Sequence, residues 1–207
     1  MHNAASHRYR AVVFDMGGVL LDWNPRHLYR KLFDGEAAVE TFLATVCTVE
    51  WNRRQDAGRP IAEAVSELRA RHPEEAERIA AFYDRWPETF NGPIEESVRI
   101  LAELRESGTP LLLLTNASGE TFPITRSVYP FLDWFPRVMV SGDVGMIKPD
   151  RRIFELLVER HGLDAAETVF IDDTPENVEA ARDVGFYGIH FTTPEALRAE
   201  LSGLSML

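Results

Sequence analysis

The chain has little of what several protein classes require, beginning with cysteine and positive charge. Its 207 residues include one cysteine, Cys47, which has no partner for an internal disulfide, so a reducing, cytoplasmic setting is expected. Lysine and arginine total 22 against 33 aspartates and glutamates, which gives a net charge of −11. Nucleic acids and anionic membranes bind basic surfaces, so neither is an expected partner. A small anionic substrate needs only a local positive charge and stays compatible with this composition.

Long hydrophobic runs are also missing. No segment approaches the roughly 20 apolar residues of a membrane-spanning helix, and the polar first eight residues lack the apolar stretch of a signal peptide. Hydrophobic residues still make up 45% of the chain, enough for one α/β domain with a large insertion or for two small domains. Cys47 itself is predicted to lie half-buried on a helix and not to act as a nucleophile.

Short apolar runs alternate with helical patterns along most of the chain. The runs that are typical of buried strands lie at 11–14, 111–114, 138–140, 169–171 and 187–191. Apolar residues three and four apart indicate helices between them, and Gly108, Gly162 and Gly185 follow as stop signals. This alternation predicts an α/β fold with a doubly wound, parallel, Rossmann-like sheet.

One long stretch, from about residue 24 to residue 91, lacks strand signals. It contains helix-like segments at 25–33, 37–46, 60–71 and 73–86. We therefore expect a helical cap inserted after the first strand. The predicted boundaries are a Rossmann-like core over residues 8–22 and 92–207 and a helical cap over residues 23–91.

Polar or reactive residues follow each of the first four predicted strands. In chain order they are Asp15, then Thr115 and Asn116, then Ser141 with Lys148 a loop later, then Asp172 and Asp173. Because the carboxyl ends of parallel strands share one edge of a sheet, these groups should converge there.

The chemistry of this set favours phosphoryl transfer. Clustered carboxylates repel each other unless a cation joins them, and hard oxygen ligands suit Mg²⁺. A carboxylate such as Asp15 can act as a nucleophile and form an aspartyl phosphate. Lys148 would neutralise charge on the transferring group. Each residue alone has a plainer explanation as a turn former, a helix cap or an exposed lysine, but independent turn chemistry gives no reason for four such matches.

Four ordered segments resemble the motifs of the haloacid dehalogenase superfamily. They are Phe14–Leu20, Leu114–Asn116, Gly145–Pro149 and Ile171–Asn177, within a match over roughly residues 10–192. The Asp-x-Gly-x-Val turn at residue 15, the stretch Ser141–Met146 and the aromatic segment 128–135 look most like bacterial α-D-glucose-1-phosphate phosphatases.

This resemblance implies a Mg²⁺ site built on the first and fourth motifs. Asp15 would be the nucleophile, with its other oxygen on the metal. The backbone carbonyl of Gly17 would be a second ligand. Asp173 would bind the metal directly, and Asp172 would act through water or as a support.

The second and third motifs would bind the phosphoryl group, again by resemblance. Thr115 and Asn116 would hold its oxygens, and Lys148 would pair with both the nucleophile and the phosphate. The substrate would be a small phosphorylated metabolite, such as a sugar phosphate, under a cap that closes over the site. The cap residues considered as selectors of the substrate are Trp51, Asn52, Arg53 and Asp56, with buried packing the plainer explanation of Trp51.

Gly17 departs from the superfamily's pattern. Most of its phosphatases have an Asp at that position, and such general acid–base help is worth on the order of 10²–10⁴-fold in rate. The substrate would then have a good leaving group, such as a sugar-1-phosphate or an acyl phosphate, or another group would substitute, such as Asp22, a cap residue or water. The third alternative is a weakly active or non-catalytic phosphometabolite binder. Asp22 is explained more simply as a turn residue before Trp23.

Two further classes use a similar set of residues. A 2-haloacid dehalogenase would use Asp15 against carbon without a metal, and such enzymes usually lack the acid pair found here at 172–173. A phospho-accepting receiver module has its acid pair before the phosphorylated Asp, and no helical insertion follows its first strand. The order of the motifs therefore favours a phosphatase. The aromatic segment 129–135 fits either the core or a contact surface, so no oligomeric state is predicted.

Overall fold

The computed structural model describes residues 9–207. The polar N-terminal segment and residue 8, the first residue of the predicted core, lie outside this described part. The described residues form a five-stranded sheet, a two-stranded sheet and helices that surround both.

The elements are numbered in chain order. The strands are β1 (Ala11–Phe14), β2 (Leu21–Trp23), β3 (Phe90–Pro93), β4 (Leu111–Thr115), β5 (Arg137–Val140), β6 (Thr168–Asp172) and β7 (Tyr187–His190). The α-helices are α1 (Pro25–Tyr29), α2 (Glu36–Thr45), α3 (Val49–Asp56), α4 (Ile61–Arg71), α5 (Ala76–Asp84), α6 (Glu95–Glu106), α7 (Phe122–Val128), α8 (Ser141–Val144), α9 (Arg151–His161), α10 (Pro175–Val184) and α11 (Pro194–Gly203). Short 3-10 helices lie at Pro73–Glu75, Trp86–Thr89, Pro130–Trp134 and Ala165–Glu167.

The large sheet has the strand order β5-β4-β1-β6-β7, and all its neighbouring pairs are parallel. The chain builds outward from β1 through β4 to β5, then crosses back to β6 on the other side of β1. The boundary between β1 and β6 is therefore a topological switch point, where open α/β sheets bind ligands. The predicted doubly wound parallel sheet is confirmed, and each strand lies within a residue of its predicted bounds.

Both faces of this sheet are buried. Val12 and Phe14 of β1 lie in one apolar cluster with residues of α6 and α11, and Ala11 and Val13 lie in the other with residues of α9 and α10. A strand that is covered on both faces must be apolar throughout, which explains the uninterrupted apolar run of β1. Polar and reactive side chains can therefore be placed only at the ends of these strands.

Helices α1 to α5 lie between β2 and β3, and together they form what we call the helical insertion. β2 and β3 pair antiparallel, with Leu21 opposite Pro93 and Trp23 opposite Phe90, so the insertion leaves and rejoins the core through a short ribbon. The sequence shows no strand pattern here, because these strands are three and four residues long and include Asp, Asn, Gly and Pro, which strands disfavour.

The segment before α3 differs from expectation at Cys47. It is fully buried in the turn after α2, with Sγ 3.5 Å from the Tyr29 hydroxyl, so the prediction of a half-buried helical position is wrong. The backbone leaves helical geometry at Val46, and the next residue turns inward. Burial raises the pKa of the Cys47 thiol to about 12, which keeps it protonated and unreactive.

The insertion shares its apolar interior with the sheet. Tyr29, Phe82 and Trp86 belong to the same buried cluster as Leu21 and Phe14, so the packing continues from the insertion into one face of the core. Among residues 9–207, no helix combines the length and apolar character needed to cross a membrane.

Candidate active site

Three carboxylates meet at the switch point of the sheet. Asp15 directly follows β1, and its backbone N–H donates to the carbonyl of Ile171 in β6 at 2.9 Å. Asp172 ends β6 and Asp173 follows it. One oxygen from each of the three carboxylates lies within 4.8 Å of the others, so the convergence expected from the strand ends is present.

Lys148 lies between two of these carboxylates. Its ammonium is 2.8 Å from Asp15 Oδ1 and 2.6 Å from Asp172 Oδ2, and it donates to the Leu114 carbonyl at 3.1 Å. The residue is 1% exposed. Burial disfavours its charge, but the two carboxylates outweigh burial and raise the pKa of Lys148, so the ammonium is charged at neutral pH.

The burial and the neighbouring charges change the pKa of Asp15. Burial raises its pKa to about 7, Lys148 acts in the opposite direction, and the charges of Asp172 and Asp173 raise the pKa further. A cation placed among the three carboxylates would favour the ionised form of Asp15, which is the form a nucleophile needs.

Asp172 is fully buried, and both its oxygens have partners. Oδ2 accepts from Lys148, and Oδ1 accepts from the Thr174 backbone N–H at 2.9 Å and from Asn177 Nδ2 at 3.0 Å. The carboxylate is therefore fixed in a position that orients Lys148. Sequence reasoning missed Asn177, although its place in the first turn of α10, five residues after Asp172, was a usable signal.

Asp173 lies against Gly18. A Cβ added to Gly18 would lie 2.1 Å from Asp173 Oδ2, and Gly18 has a φ of +76°, which disfavours any side chain. Gly17 is different, because a Cβ there would meet only Trp23 Cβ at 3.7 Å, an ordinary contact. The missing side chain at position 17 therefore does not reflect a lack of space for a Cβ.

Asn116 and Thr115 lie beside Lys148 at the end of β4. Asn116 Nδ2 donates to the Lys148 carbonyl at 2.9 Å, and the Lys148 N–H donates to Asn116 Oδ1 at 2.8 Å. Thr115 is the last, buried residue of β4. This pairing makes Asn116 the residue that holds the backbone around Lys148, and contact with a phosphoryl group stays a prediction for both residues.

Ser141 joins this edge of the sheet to the helical insertion. Its hydroxyl donates to the carbonyl of Asp56, the last residue of α3, at 2.6 Å and accepts from the Ala117 N–H at 2.9 Å. The sequence placed Ser141 after the third strand, but gave no sign that its partner is in the insertion.

The other residues considered from sequence have diverse surroundings. The Trp51 ring is buried edge-on against Phe82, with centroids 5.4 Å apart, while Arg53 is exposed on α3. The Asp22 carboxylate accepts from Asn91 Nδ2 at 3.0 Å and lies 3.2 Å from His27 Nε2. Asp22 thus links β2 to β3 and α1, in keeping with a structural role.

Comparison with known proteins points to one family. The family model for haloacid dehalogenase-like hydrolases matches residues 9–185. A sesquiterpene phosphatase of Aspergillus oryzae is 29% identical over 196 residues, which cover 95% of this chain and 96% of that protein. The chain spans only 10% and 36% of two longer curated relatives, so the activities of those whole proteins are not carried over.

Solved structures of this fold include more than one chemistry. A haloacid dehalogenase family enzyme from Bacteroides thetaiotaomicron, in complex with magnesium and inorganic phosphate, has a TM-score of 0.69 at 21% identity, covering 89% of this chain and 95% of its own. The L-2-haloacid dehalogenase of Xanthobacter autotrophicus has a TM-score of 0.64 at 19% identity, covering 96% and 84%. At such identities these structures confirm the fold alone. Since the family model covers most of the chain, this protein belongs to the haloacid dehalogenase-like hydrolases.

Proposed function

We propose that this hydrolase is a Mg²⁺-dependent phosphatase that transfers the phosphoryl group of a small phosphorylated metabolite to Asp15. The observation that carries the proposal is the group of three carboxylates at the switch point, two of which contact a buried ammonium. The sesquiterpene phosphatase and the relative with bound magnesium and phosphate support it. A dehalogenase with the same nucleophile would have no use for a cation between Asp15 and Asp173.

The donor set fits magnesium. Hard carboxylate oxygens in small number suit this ion better than softer metals. Because both Asp172 oxygens already have partners, Asp15 and Asp173 would hold Mg²⁺ directly, together with the carbonyl of Gly17, and Asp172 would act through water or as support. Bound Mg²⁺ would offset negative charge on the carboxylates and on the phosphoryl oxygens.

The reaction follows from the surroundings of Asp15. One of its oxygens would attack phosphorus, the bond from phosphorus to the ester oxygen would break, and water would later hydrolyse the aspartyl phosphate. Lys148 would offset the charge on the phosphoryl group, while Thr115 and Asn116 would bind its oxygens. Position 17 offers no proton to the departing oxygen, so we propose a substrate with a good leaving group, such as a sugar-1-phosphate.

The architecture would divide this work between two parts. We propose the boundaries 8–22 and 92–207 for the Rossmann-like core and 23–91 for the cap, which would cover the site and select the substrate. The lone cysteine, which has no partner for an internal disulfide, supports a cytoplasmic location.

The deciding experiment is hydrolysis of an aryl phosphate with Mg²⁺ and with a chelator. The panel should include sugar-1-phosphates, sugar-6-phosphates, a prenyl phosphate and 2-chloropropionate. We expect metal-dependent phosphate release that Asp15→Asn lowers by at least about 10³-fold, because loss of a nucleophile removes the covalent route. Asp34→Asn, on an exposed aspartate of the insertion, is the matched control. Halide release without metal, or no hydrolysis across the panel, would refute the phosphatase.

A further inference from the structure

The residues that follow β4 are held one after another by different parts of the molecule. Asn116 pairs with the backbone of Lys148. The Ala117 N–H donates to Ser141 Oγ at 2.9 Å, and its carbonyl accepts from the Gly142 N–H at 3.0 Å. The Ser118 N–H faces the carboxyl of Asp56 and lowers the pKa of that group, against the effect of burial. Only this last contact among the three comes from the helical insertion.

Asp56 touches this segment twice. Besides the interaction of its carboxyl with Ser118, its backbone carbonyl accepts from Ser141 Oγ at 2.6 Å, and the same hydroxyl holds Ala117. Both contacts are buried, and Asp56 itself is 8% exposed. The end of α3 therefore lies directly on the segment that follows Thr115.

Close backbone approaches keep α3 at this distance. A Cβ on Gly58, which has a φ of +96°, would lie 2.8 Å from the Gly142 carbonyl oxygen, and a Cβ on Gly142 would lie 2.6 Å from the Gly119 N. Side chains would push these three backbones apart. The insertion and the core thus contact each other through backbone atoms that lie too close together to allow side chains at these glycines.

The other side of Asp56 is tied into the insertion. Asn52 Nδ2 donates to Asp56 Oδ2 at 2.9 Å, and the Tyr83 hydroxyl donates to Asn52 Oδ1 at 3.0 Å. Tyr83 is on α5 and stacks on Trp86, with ring centroids 6.0 Å apart. A continuous chain of hydrogen bonds therefore runs from α5 through Asp56 to the core.

We propose that Asp56 is a positioning residue through which the insertion fixes residues 116–118 and so sets the affinity of the site for phosphate. This inference rests on the proposed phosphatase function. Asp56 contacts neither Asp15 nor Lys148 among its hydrogen-bond partners, so it acts through the segment and not on the reacting atoms. Burial raises the pKa of Asp56 to about 7, against the opposing effects of Arg53 and of the Ser118 N–H.

The test is the binding of inorganic phosphate, a probe without a leaving group, to the Mg²⁺-loaded protein by calorimetry at pH 8. Asp56→Asn keeps the shape but cannot accept from both Ser118 and Asn52. We expect about tenfold weaker phosphate binding, on the scale of one hydrogen bond to a charged group. The value of kcat/KM should fall by the same factor for an aryl and an alkyl phosphate, since both share the phosphoryl group.

Two further variants complete the design. Asp84→Asn, on an exposed aspartate at the end of α5, should leave phosphate binding unchanged. Tyr83→Phe removes the hydroxyl that orients Asn52 and should weaken phosphate binding about two- to threefold, and it supplies the result if Asp56→Asn does not fold.

An unchanged phosphate affinity in Asp56→Asn, or in Tyr83→Phe where that variant stands in, overturns the inference, even if the melting temperature falls. So does a loss confined to the alkyl phosphate, which would make Asp56 a proton donor. A wild type that neither binds nor hydrolyses phosphates with Mg²⁺ removes the proposed function, and the inference falls with it.

Discussion

The molecule contains two buried polar networks of opposite character, one at the strand ends and one in the helical insertion. In the first, Lys148 lies between the carboxyl groups of Asp15 and Asp172, and its ammonium is less than 3 Å from an oxygen of each. In the second, Tyr83 and Asn52 are neutral, and Asp56 has a pKa raised by burial.

This difference separates the network that would carry out the reaction, at the strand ends, from the network that would position a neighbouring segment, in the insertion. Charges buried at a switch point supply nucleophile, metal site and electrostatic stabilisation, and they are costly to disturb. Hydrogen bonds that involve a single ionisable group cost less to rearrange than buried ion pairs, which suits a network that holds a neighbouring segment in place. The two networks meet on residues 116–118.

The largest effect is expected where the charged network loses its only ammonium. Lys148→Met leaves Asp15 and Asp172 buried without a cation, and removing one partner of a buried pair costs about 3–5 kcal/mol. We expect the free energy of unfolding to fall by that order without metal and turnover to fall about 10²–10³-fold. Chemical denaturation with and without Mg²⁺ measures the first, and Lys31→Met, whose lysine is exposed in the insertion, is the control. Unchanged stability would mean that the carboxylates share a proton instead.

The adjacent glycines sharpen the comparison within the charged network. Gly18→Ala places a Cβ against the Asp173 carboxylate at a φ of +76°, so we expect about 10–100-fold weaker Mg²⁺ binding. Gly17→Ala meets only Trp23 at an ordinary distance and should change Mg²⁺ affinity by less than about twofold. Metal titration followed by calorimetry compares the two. Equal effects would show that Asp173 does not bind the ion.

Gly17→Asp tests whether the charged network is limited by the missing general acid at position 17. It restores the acid that most phosphatases of the superfamily have, and the Cβ fits. We expect turnover of an alkyl phosphate to rise about tenfold, the lower end of general acid catalysis, with little change for an aryl phosphate, which leaves without help. Steady-state rates on both esters decide it. A gain of equal size on both would point to metal binding instead of proton transfer.

The smallest effect concerns the contribution of the Asp56 network to the free energy of unfolding. The pKa of Asp56 is raised to about 7, so the folded protein binds its proton more tightly than the unfolded chain, whose pKa is about 4. The contribution of Asp56 to the free energy of unfolding is therefore fully present at acid pH and is lost as the pH rises from about 4 to 7. We expect Asp56→Asn to flatten the fall in melting temperature between pH 5 and pH 8, by about 2–4 °C for each kcal/mol. If the melting temperatures of variant and wild type fall in parallel with pH, the raised pKa of Asp56 is contradicted.

The sheet and the strand-end residues could be predicted because their signals are local. A strand buried on both faces must be apolar, and the polar residue after it must lie at the common edge, so Asp15 and Asp172 could be placed together from sequence. The position of Asn116 was also predictable, but not its pairing with the Lys148 backbone, which depends on loop geometry.

Four helices of the insertion, α1, α2, α4 and α5, lie at predicted helical segments, but three other elements could not be predicted, for physical reasons. β2 and β3 are too short to show the two-residue alternation of a strand, and α3 has mostly polar residues. None of these three elements therefore has a recognisable hydrophobic pattern in the sequence. The hydrogen bond from the Ser141 hydroxyl to the Asp56 carbonyl joins residues that are distant in sequence, and only the packing of α3 on the core brings them together. The domain boundaries and the roles of the site residues stay predictions.

The ribbon of β2 and β3 has a consequence for protein engineering. Because Leu21 pairs with Pro93, the two ends of a stretch of about 70 residues are neighbours, and a different segment of matching ends could be spliced in without threading through the parallel sheet. The shared interior sets the condition for such an exchange. A replacement must cover Leu21 and Phe90 with apolar side chains, or the graft exposes the core to water.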